Sequence, residues 1–208
     1  MKNYCVVGLT GQSGAGKTTV SRCFFENGFF VINCDLVSRE VTEKGSECNK
    51  ELSLIFPECF DSELTLDRKK LGSCVFGDED KLKTLNETIF PFIIKNINEK
   101  ICDAVKEGNK FILLDAPTLF EAKMENSCDY IVSVIADENI RADRIEKRDN
   151  ISKEEVLKRF SSQLSEDFFK ENSDFIIENN GGIDSVVFQT ISIINIIKEQ
   201  FDVSQQSV

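Results

Sequence analysis

Short runs of apolar residues alternate with longer segments of helical periodicity along this 208-residue chain. Five runs predict buried strands, because each is too short for a typical helix and is bounded by turn residues or helical segments. The runs are "YCVVGL", "FFVIN", "KFILLD", "DYIVSVIA" and "DFII", beginning at Tyr4, Phe29, Lys110, Asp129 and Asp174. Strands of this kind separated by helices are typical of a parallel sheet covered on both faces. The pattern therefore predicts an α/β fold with a five-stranded parallel sheet.

Helical patterns fill the segments between the predicted strands. The first helix lies in "GKTTVSRCFFENG" and ends at Gly28. Between the second and third strands, the pattern predicts helices over 36–43, 47–56, 67–75, 79–88 and 91–107. Later helices are predicted over 138–148, 153–171 and 183–201. Ser152 and Glu155 have the spacing of a capping box.

The distribution of strands and helices predicts how the chain is divided into domains. The helices between strands two and three are too numerous for one crossover, so 36–107 is predicted to be an inserted helical domain. The stretch 138–171 is a second, smaller helical excursion. The α/β core would then consist of 1–35, 108–137 and 172–208.

Composition excludes several classes of protein. The chain has no histidine, which rules out Ser–His and Cys–His catalysis. Its net charge of −11 disfavours nucleic acid and anionic membranes as partners. Apolar runs are far below the ~18 residues of a membrane span, and the N-terminus lacks the features of a secretory signal. The eight cysteines are dispersed without a CxxC pair, so we expect reduced thiols in a cytoplasmic protein.

The stretch "GQSGAGKT" fits the phosphate-loop pattern G-x-x-x-x-G-K-[ST], and it lies between a predicted strand and a predicted helix. Glycines let the backbone curl so that successive N–H groups point at phosphates. Lys17 would add positive charge at the β- and γ-phosphates, and Thr18 would supply an oxygen to Mg²⁺. The predicted nucleotide-binding residues here are Gly11, Gln12, Ser13, Gly14, Ala15, Gly16, Lys17, Thr18 and Thr19. GTPases, ATPases and small-molecule kinases all use such a loop.

Asp35 follows the second predicted strand, and its residue type admits two roles. Ligands of open parallel sheets bind at the carboxyl ends of the strands, where a carboxylate can orient a hydroxyl and accept its proton. Asp is also a favourable N-cap, here for the helix predicted over 36–43. The spacing alone leaves both roles open.

Charged residues elsewhere fit phosphate chemistry but also have simpler explanations. Arg141, Arg144 and Arg148 share one face of a predicted helix, where they would form either an anion clamp or a solvated face paired with nearby acids. Asp115 ends the third strand, in the position of a carboxylate that holds Mg²⁺, directly or through water. That role is an alternative to an ordinary strand-end charge.

Taken in order, the motifs resemble those of the dephospho-CoA kinase family over nearly the whole chain. The matching segments are "VGLTGQSGAGKTTV", "GFFVINCDLVSREV", "LDRKKLGSCVF", "LNETIFPFI", "LLDAPTLFEA", "RIEKRDNISKEEVLKRFSSQ" and "SDFIIENNGG". The phosphate loop is generic, whereas the other motifs are specific as a set. The resemblance implies transfer of the γ-phosphate of ATP to the 3′-hydroxyl of dephospho-CoA, the last step of coenzyme A biosynthesis, with Mg²⁺ as cofactor.

The resemblance also implies a role for individual residues. Asp35, Lys17 and Arg148 would be catalytic, and Thr18 and Asp115 would serve the metal. The ATP site would add Arg144, Asn180 and Gly181, with the "NNG" stretch from Asn179 near the adenine. The dephospho-CoA site would include Asp35, Arg39, Arg68, Phe90, Pro117, Leu119 and Glu121. The 36–107 segment would then be the CoA-binding domain and 138–171 the lid.

Some positions depart from the family pattern. Asn33 replaces an acid, Phe90 stands where His-Pro is common, Thr118 replaces leucine, and Glu166 falls where a basic residue is usual. These changes indicate a divergent member with an intact ATP side. Another small-molecule kinase, such as a nucleoside kinase, would not explain the helical insert. A GTP-binding switch would need an Asn-Lys-x-Asp motif, which is not in the sequence. The expected partners are ATP and dephospho-CoA, with no membrane, nucleic acid or obligate protein partner inferred.

Overall fold

The computed structural model describes residues 2–75, 77–161 and 163–206. Phe76 and Ser162, which belong to two of the motifs quoted above, lie outside the described residues, as do both chain ends beyond 2 and 206. The described chain divides into two compact units, one formed by Met1–Ile32 with Ala104–Val208 and the other by Asn33–Asp103. They are called unit one and unit two below.

The predicted five-stranded parallel α/β sheet is confirmed. Its strands are β1 (Cys5–Gly11), β2 (Phe30–Asn33), β3 (Phe111–Asp115), β4 (Tyr130–Ile135) and β5 (Phe175–Glu178). The strand order is β2-β3-β1-β4-β5, so β3 separates the strand before the phosphate loop from the strand before Asp35. In the central pair, Leu9 of β1 lies opposite Asp115 of β3.

The helices of unit one include α1 (Lys17–Glu26), α6 (Glu138–Asp149), α7 (Lys153–Ser161), α8 (Glu166–Glu171) and α9 (Ile183–Gln206). Helices α1, α8 and α9 pack against the sheet, whereas α6 and α7 pack against each other through their own apolar cluster. Helix α9 buries Val186, Ile193, Ile194 and Ile197, whose spacing places them along one side of the helix. These side chains join the buried cluster formed by β1, β3 and α1. Burying this stripe fixes α1, and with it the end of the phosphate loop, against the sheet.

In the described part of unit two, the regular secondary structure is helical except for one isolated antiparallel β-bridge, between Phe60 and Leu66. It contains α2 (Cys34–Val41), α3 (Glu47–Ile55), α4 (Arg68–Val75) and most of α5 (Glu79–Lys106), with a 3-10 turn at Pro57–Cys59. A second 3-10 turn, Glu125–Ser127, belongs to unit one. The domain boundaries predicted from the sequence stay a prediction.

The prediction of two helices over 79–88 and 91–107 is wrong, because α5 runs through Pro91 without a break. Proline removes one backbone donor and normally ends or kinks a helix. Here Pro91 faces solvent, where water can bind the carbonyl that loses its donor. Ile93, Ile97 and Ile101 recur every four residues and are buried, so packing holds the helix after the proline. Before the proline, Leu85 and Ile89 are partly buried against the apolar cluster of unit two.

The single helix predicted over 153–171 is also wrong, since it forms two helices, α7 and α8. Ser165 caps α8 by accepting a hydrogen bond from the Phe168 backbone N–H (3.1 Å). The capping box at the start of α7 is confirmed. The Ser152 backbone N–H donates to Glu155 Oε2 (2.9 Å), and the Glu155 N–H donates to Ser152 Oγ (3.3 Å).

All eight cysteines, each within the described residues, are free thiols, as expected. Burial raises the pKa of the Cys5 and Cys128 thiols to about 12. Burial likewise raises the pKa of the Cys48 thiol to about 11. These three side chains therefore stay neutral near pH 7 and contribute as small apolar groups. No helix in the described ranges is both long and apolar enough to cross a membrane.

Candidate active site

The phosphate loop connects β1 to α1 through left-handed glycines. Gly11 has a φ of 129° and Gly16 a φ of 98°, conformations that residues with a Cβ rarely adopt. Space is also restricted, because a Cβ on Gly11 would lie 2.1 Å from the Val134 carbonyl oxygen, and one on Gly16 would lie 2.3 Å from Asn179 Nδ2. Gly16 is the N-cap of α1, so the loop leads directly into the positive end of a helix dipole.

Lys17 is the first residue of α1, and its side chain returns along the loop. Its Nζ donates to the carbonyl oxygens of Gly11 (2.8 Å) and Gln12 (3.3 Å). The ammonium group therefore lies beside the backbone that curls around the phosphate position. Thr18, the next residue, is exposed to solvent.

Two arginines of α6 contact the phosphate loop. Arg141 is buried, and its Nε donates to the Ala136 carbonyl (2.9 Å) while its Nη1 reaches the Ser13 carbonyl (3.4 Å). Arg144 Nη1 donates to the Gly14 carbonyl (3.4 Å). Burial lowers the pKa of the Arg141 guanidinium, but an arginine remains charged near neutral pH. Both side chains therefore bind carbonyl oxygens of the phosphate loop and help to fix its backbone.

Asn179, the residue after β5, also contacts the loop. Its Nδ2 donates to the Ala15 carbonyl (2.7 Å) in a buried hydrogen bond. Arg144 Nη2 donates both to the Asn179 backbone carbonyl (3.1 Å) and to its Oδ1 (3.3 Å). Gln163 completes the set, since its Oε1 accepts from the Ser13 backbone N–H (3.2 Å). The phosphate loop is thus fixed by side chains that are far from it in sequence.

The segment after β3 contributes polar groups next to the loop. Thr10 Oγ1 donates to the Pro117 carbonyl (3.2 Å), which ties this segment to β1. Leu119 is buried, and Asp115 is half-buried at the strand end. The surrounding protein raises the pKa of the Glu121 carboxyl, and the positive charge of Lys17 opposes that rise. Lys17 is thus close enough to Glu121 to influence its charge.

Arg148 differs from the other two arginines of α6. Its Nε and Nη2 bind Asp149 Oδ1 (2.7 Å) and Oδ2 (2.9 Å), and Arg159 Nη1 donates to Oδ2 (2.6 Å). These hydrogen bonds hold the pKa of Asp149 far below its usual range. The three arginines predicted to share a face therefore separate, with Arg141 and Arg144 on the loop and Arg148 on Asp149. Glu166 pairs with Lys170 (2.7 Å).

Asn180 and Gly181 follow Asn179 in the turn after β5. The Asn180 side chain forms a pair with Asp137, because its Oδ1 accepts from the Asp137 backbone N–H (2.7 Å) and its Nδ2 donates to Oδ1 (2.9 Å). The pair joins the turns that follow β4 and β5. Gly181 is exposed, and a Cβ there would lie 4.0 Å from Ser185 Cβ, an ordinary contact.

In unit two, Asn33 rather than Asp35 caps helix α2. Asn33 Oδ1 accepts from the Leu36 backbone N–H (2.9 Å). The alternative that Asp35 is the N-cap is therefore wrong, because the helix begins one residue before Asp35 and its cap is the residue before that. Asp35 is exposed in the first turn, where the helix dipole favours a negative charge.

The remaining substrate residues predicted in unit two lie in two places, at α2 and within α5. Arg68 Nη2 donates to the Arg39 carbonyl (3.1 Å) and to Thr42 Oγ1, so the Arg68 guanidinium lies at the C-terminal end of α2. Arg39 is exposed on the same helix. Phe90 lies within α5 and is half-buried.

Sequence reasoning missed the contacts of Arg141, Gln163 and Asn179 with the phosphate loop. Each is a side chain bound to a backbone group of the loop, and such a contact leaves no periodicity or spacing in the sequence. The sequence held one weak signal. Gln163 and Asn179 belong to two of the motifs that resemble the family, but the motifs do not indicate what these side chains contact.

A five-stranded parallel sheet with a braced phosphate loop between β1 and α1 defines a phosphate-loop nucleotide-binding enzyme. The family model for dephospho-CoA kinase matches residues 5–185. The dephospho-CoA kinase of Bacillus cereus is 38% identical over 179 residues, which cover 86% of this chain and 90% of the relative. That of Fusobacterium nucleatum is 36% identical over 184 residues, covering 87% and 92%. The chain belongs to the dephospho-CoA kinase family.

Solved structures agree with this assignment. The dephospho-CoA kinase from Campylobacter jejuni superposes with a TM-score of 0.70 at 26% identity, covering 96% of this chain and 99% of that one. A structure from Thermus thermophilus gives a TM-score of 0.83 at 27% identity, covering 94% and 98%. A shikimate kinase from Acinetobacter baumannii shares the fold at 14% identity, with a TM-score of 0.52 and 96% of each chain covered. Enzymes of this family transfer phosphate from ATP to dephospho-CoA.

Asn179→Ala is expected to raise the KM for ATP about tenfold and to lower Tm. The substitution leaves the buried Ala15 carbonyl without its donor, and loss of such a partner costs about 1–3 kcal/mol. Steady-state kinetics and thermal unfolding would measure both effects. Asn109→Ala is the matched control, because Asn109 Nδ2 also donates to a backbone carbonyl, that of Ala104 (2.9 Å), away from the loop. Equal effects of the two variants on the KM for ATP would contradict the bracing role of Asn179.

Proposed function

We propose that the phosphate loop holds the ATP phosphates while Asp35 orients the 3′-hydroxyl of dephospho-CoA for in-line attack on the γ-phosphorus. The observation that carries the ATP side is the loop itself, whose Ser13, Gly14 and Ala15 carbonyls are bound by Arg141, Arg144 and Asn179. With these carbonyls bound, the loop backbone is fixed. The N–H groups proposed to bind the anion are those other than Ser13 and Ala15, which donate to Gln163 and to the Gln12 carbonyl. The remaining ATP-binding residues are those of the predicted set, including Thr19, Asn180 and Gly181.

Charge neutralisation falls to Lys17, because the transferring phosphoryl group carries negative charge on its oxygens. The Lys17 ammonium already lies along the Gly11 and Gln12 carbonyls and can turn from them to the β- and γ-phosphates without moving its backbone. Its positive charge also lowers the pKa of Glu121 from the value that burial would give. The same charge would favour an anionic oxygen at the loop.

Asp35 is proposed as the base because it is a carboxylate immediately after the strand β2 and is not used as a helix cap. Asn33 performs the capping, which leaves both Asp35 oxygens available for the hydroxyl. In a loose phosphoryl-transfer transition state the proton leaves late, so the carboxylate first orients the hydroxyl and then accepts the proton. The family often has a second acid where this chain has the neutral Asn33. Asp35 is therefore the carboxylate proposed to act in this turn.

Mg²⁺ is proposed as the cofactor on the chemistry of the donors. Thr18 carries an exposed hydroxyl, and Asp115 carries a carboxylate at the end of a strand adjacent to β1, and oxygen donors of this kind are what Mg²⁺ takes. When bound, the ion neutralises charge on the phosphate oxygens. Thr18 and Asp115 would hold it, directly or through water.

The residues proposed for the dephospho-CoA side are those of the predicted set. Arg39 and Arg68 supply positive charge to the anionic acceptor, and Arg68 is already positioned by its hydrogen bonds to the end of α2. Phe90 offers an aromatic face rather than a donor. Pro117, Leu119 and Glu121 form the segment after β3 that is tied to β1 through Thr10.

A coupled ADP-release assay tests the proposed reaction. Dephospho-CoA is expected to be the best acceptor in a panel with nucleosides and pantetheine compounds, since they lack either the 3′-hydroxyl of a nucleotide or the pantetheine arm. The assay is run with ATP and Mg²⁺, and then with excess EDTA. A nucleoside with a higher kcat/KM would point to another small-molecule kinase, and full activity with EDTA would remove Mg²⁺ from the proposal.

Arg148→Ala is expected to lower kcat more than it raises the KM for dephospho-CoA, because a lid arginine would meet the transferring phosphate in the transition state. Lys147→Ala is the control, as it removes the same charge from the same last turn of α6. Steady-state kinetics for both substrates would measure the split between kcat and KM. A change confined to the KM for dephospho-CoA, or an equal loss of kcat in the control, would remove Arg148 from the lid role.

A further inference from the structure

Three side chains with metal-binding atoms converge in unit two. The sulfur atoms of Cys59 and Cys74 and a carboxylate oxygen of Glu58 all lie within 4.8 Å of one another. Cys74 Sγ is 3.2 Å from Glu58 Oε1. The two cysteines are far apart in sequence, so the dispersed spacing gave no sign of this cluster. The predicted role of these cysteines as ordinary thiols leaves the arrangement unexplained.

The backbone around the cluster is fixed by its own hydrogen bonds. Glu58 and Cys59 lie in the 3-10 turn, and Cys74 lies near the end of α4. The Asp67 backbone N–H donates to the Cys59 carbonyl (2.9 Å), so the start of α4 is attached to the turn that carries two of the three side chains. The intervening loop is closed by the bridge between Phe60 and Leu66. The backbone segments that carry the three side chains are therefore held together by the fold.

We propose that Glu58, Cys59 and Cys74 form a binding site for a thiophilic divalent cation of the zinc class. Zinc takes thiolate sulfur at about 2.3 Å and carboxylate oxygen at about 2.0–2.2 Å in tetrahedral geometry. Such bonds put neighbouring ligand atoms roughly 3.5–3.8 Å apart. The observed separations reach this range with small side-chain movements. Two soft sulfur ligands select against Mg²⁺, which prefers oxygen.

Charge in and around the cluster suits a cation with three anionic ligands. Two thiolates, one carboxylate and one divalent ion leave a single net negative charge. Lys81 Nζ lies 3.9 Å from Cys74 Sγ and offsets it. The pKa of the Glu58 carboxyl is lowered, chiefly by its own backbone N–H and then by the Cys74 thiol. Glu58 is therefore a carboxylate near neutral pH, ready to attract the ion.

The thiols must lose protons when the cation binds. Burial raises the pKa of Cys59, and the neighbouring Cys74 and Glu58 raise it further. Cation binding would replace the hydrogen bonds among these groups with metal bonds and release up to two protons. Affinity is therefore expected to rise with pH.

The three side chains of the site differ in their exposure to solvent. Glu58 is exposed, Cys74 is half-buried, and Cys59 is buried. A cation would thus enter past the carboxylate and be bound by the sulfurs below it. Three protein ligands leave a fourth tetrahedral position for water. Because the ligands come from both the 3-10 turn and α4, a bound ion would cross-link the two and stabilise unit two.

Titration of the full chain with Cd²⁺ and Zn²⁺ tests the proposal, with a non-chelating phosphine keeping the thiols reduced. Wild type is expected to bind one Cd²⁺ with the ultraviolet absorption of cadmium–thiolate bonds, and Zn²⁺ is expected to abolish that absorption by competition and to raise Tm. Cys74→Ser should lower Zn²⁺ affinity by more than the roughly 10–100-fold typical of losing an outer-shell partner. Glu58→Gln should retain the cadmium–thiolate absorption with weaker affinity.

Cys102→Ser is the matched control, because Cys102 is an exposed cysteine on another helix of unit two. It should bind both ions as wild type does. The proposal is overturned if wild type gives no cadmium–thiolate absorption, if Cys74→Ser binds with unchanged affinity, or if Cys102→Ser loses binding. It is also overturned if Cys74, the more exposed of the two thiols, reacts as fast with a thiol reagent in saturating Zn²⁺ as it does without the ion. Circular dichroism confirms that each variant is folded before it is titrated.

Discussion

Asp35→Asn is expected to lower kcat for dephospho-CoA phosphorylation about 10²–10⁴-fold while leaving ATP affinity near that of wild type. The amide has the shape of the carboxylate but can neither accept the hydroxyl proton nor hold the hydroxyl by a charged hydrogen bond. ATP binding should persist because the side chains that fix the phosphate loop are Arg141, Arg144, Gln163 and Asn179, all of which are unchanged in this variant. Steady-state ADP release and equilibrium titration with ATP would measure the two quantities separately.

Stability must be separated from chemistry in this experiment. Asp35 is an acid in the first turn of α2, so its neutralisation also removes a favourable interaction with the helix dipole, worth about 0.3–1 kcal/mol. Glu47→Gln removes an acid from the first turn of α3 in the same unit and should lower Tm slightly with kcat unchanged. Asn33→Ala removes the true cap and should lower Tm by more. An unchanged kcat in Asp35→Asn would remove Asp35 from the role of base.

Lys17→Met is expected to lower kcat/KM for ATP about 10²–10³-fold, the loss typical of removing one preorganised group that stabilises transition-state charge. Methionine keeps the length and the apolar stem of the side chain but removes the ammonium. The Gly11 and Gln12 carbonyls, which belong to buried residues, lose their donor. Tm is therefore also expected to fall, since a buried acceptor left without its donor costs about 1–3 kcal/mol.

Lys198→Met provides a close control for Lys17→Met. Lys198 Nζ also donates to a backbone carbonyl, that of Asn27 (2.7 Å), at the other end of α1. If both variants lose activity together, the effect belongs to the packing of α1 rather than to phosphate chemistry. Wild-type kcat and KM in Lys17→Met would contradict its role at the β- and γ-phosphates.

Local pattern was sufficient for the strands and for most helices of this chain. Buried runs such as "FILLD" are short and almost wholly apolar, and flanking turn residues bound them, so periodicity and length agree. It was insufficient at Pro91, where the rule that proline ends a helix was outweighed by buried side chains on later turns. It was insufficient again at Ser165, where one hydroxyl starts a new helix inside a continuous helical pattern.

The candidate site shows the same division. The phosphate loop is contiguous and could be predicted from its glycines and Lys17 alone. The contacts of Arg141, Arg144 and Asn179 with the loop could not, because a bond from a side chain to a distant backbone carbonyl leaves no constraint on spacing. The shared helical face of the three α6 arginines was a sound geometric inference. It failed to reveal that a neighbouring acid, Asp149, binds Arg148.

By itself the sequence determined the parallel α/β sheet, the phosphate loop and membership of a kinase family, because each depends on patterns or motifs that are local along the chain. Only the tertiary structure decided that Asn33 caps α2, that Arg144 and Asn179 brace the loop, and that Glu58, Cys59 and Cys74 meet in one cluster. These features depend on which distant segments pack together. That choice is made by burial over the whole chain, and no local pattern records it.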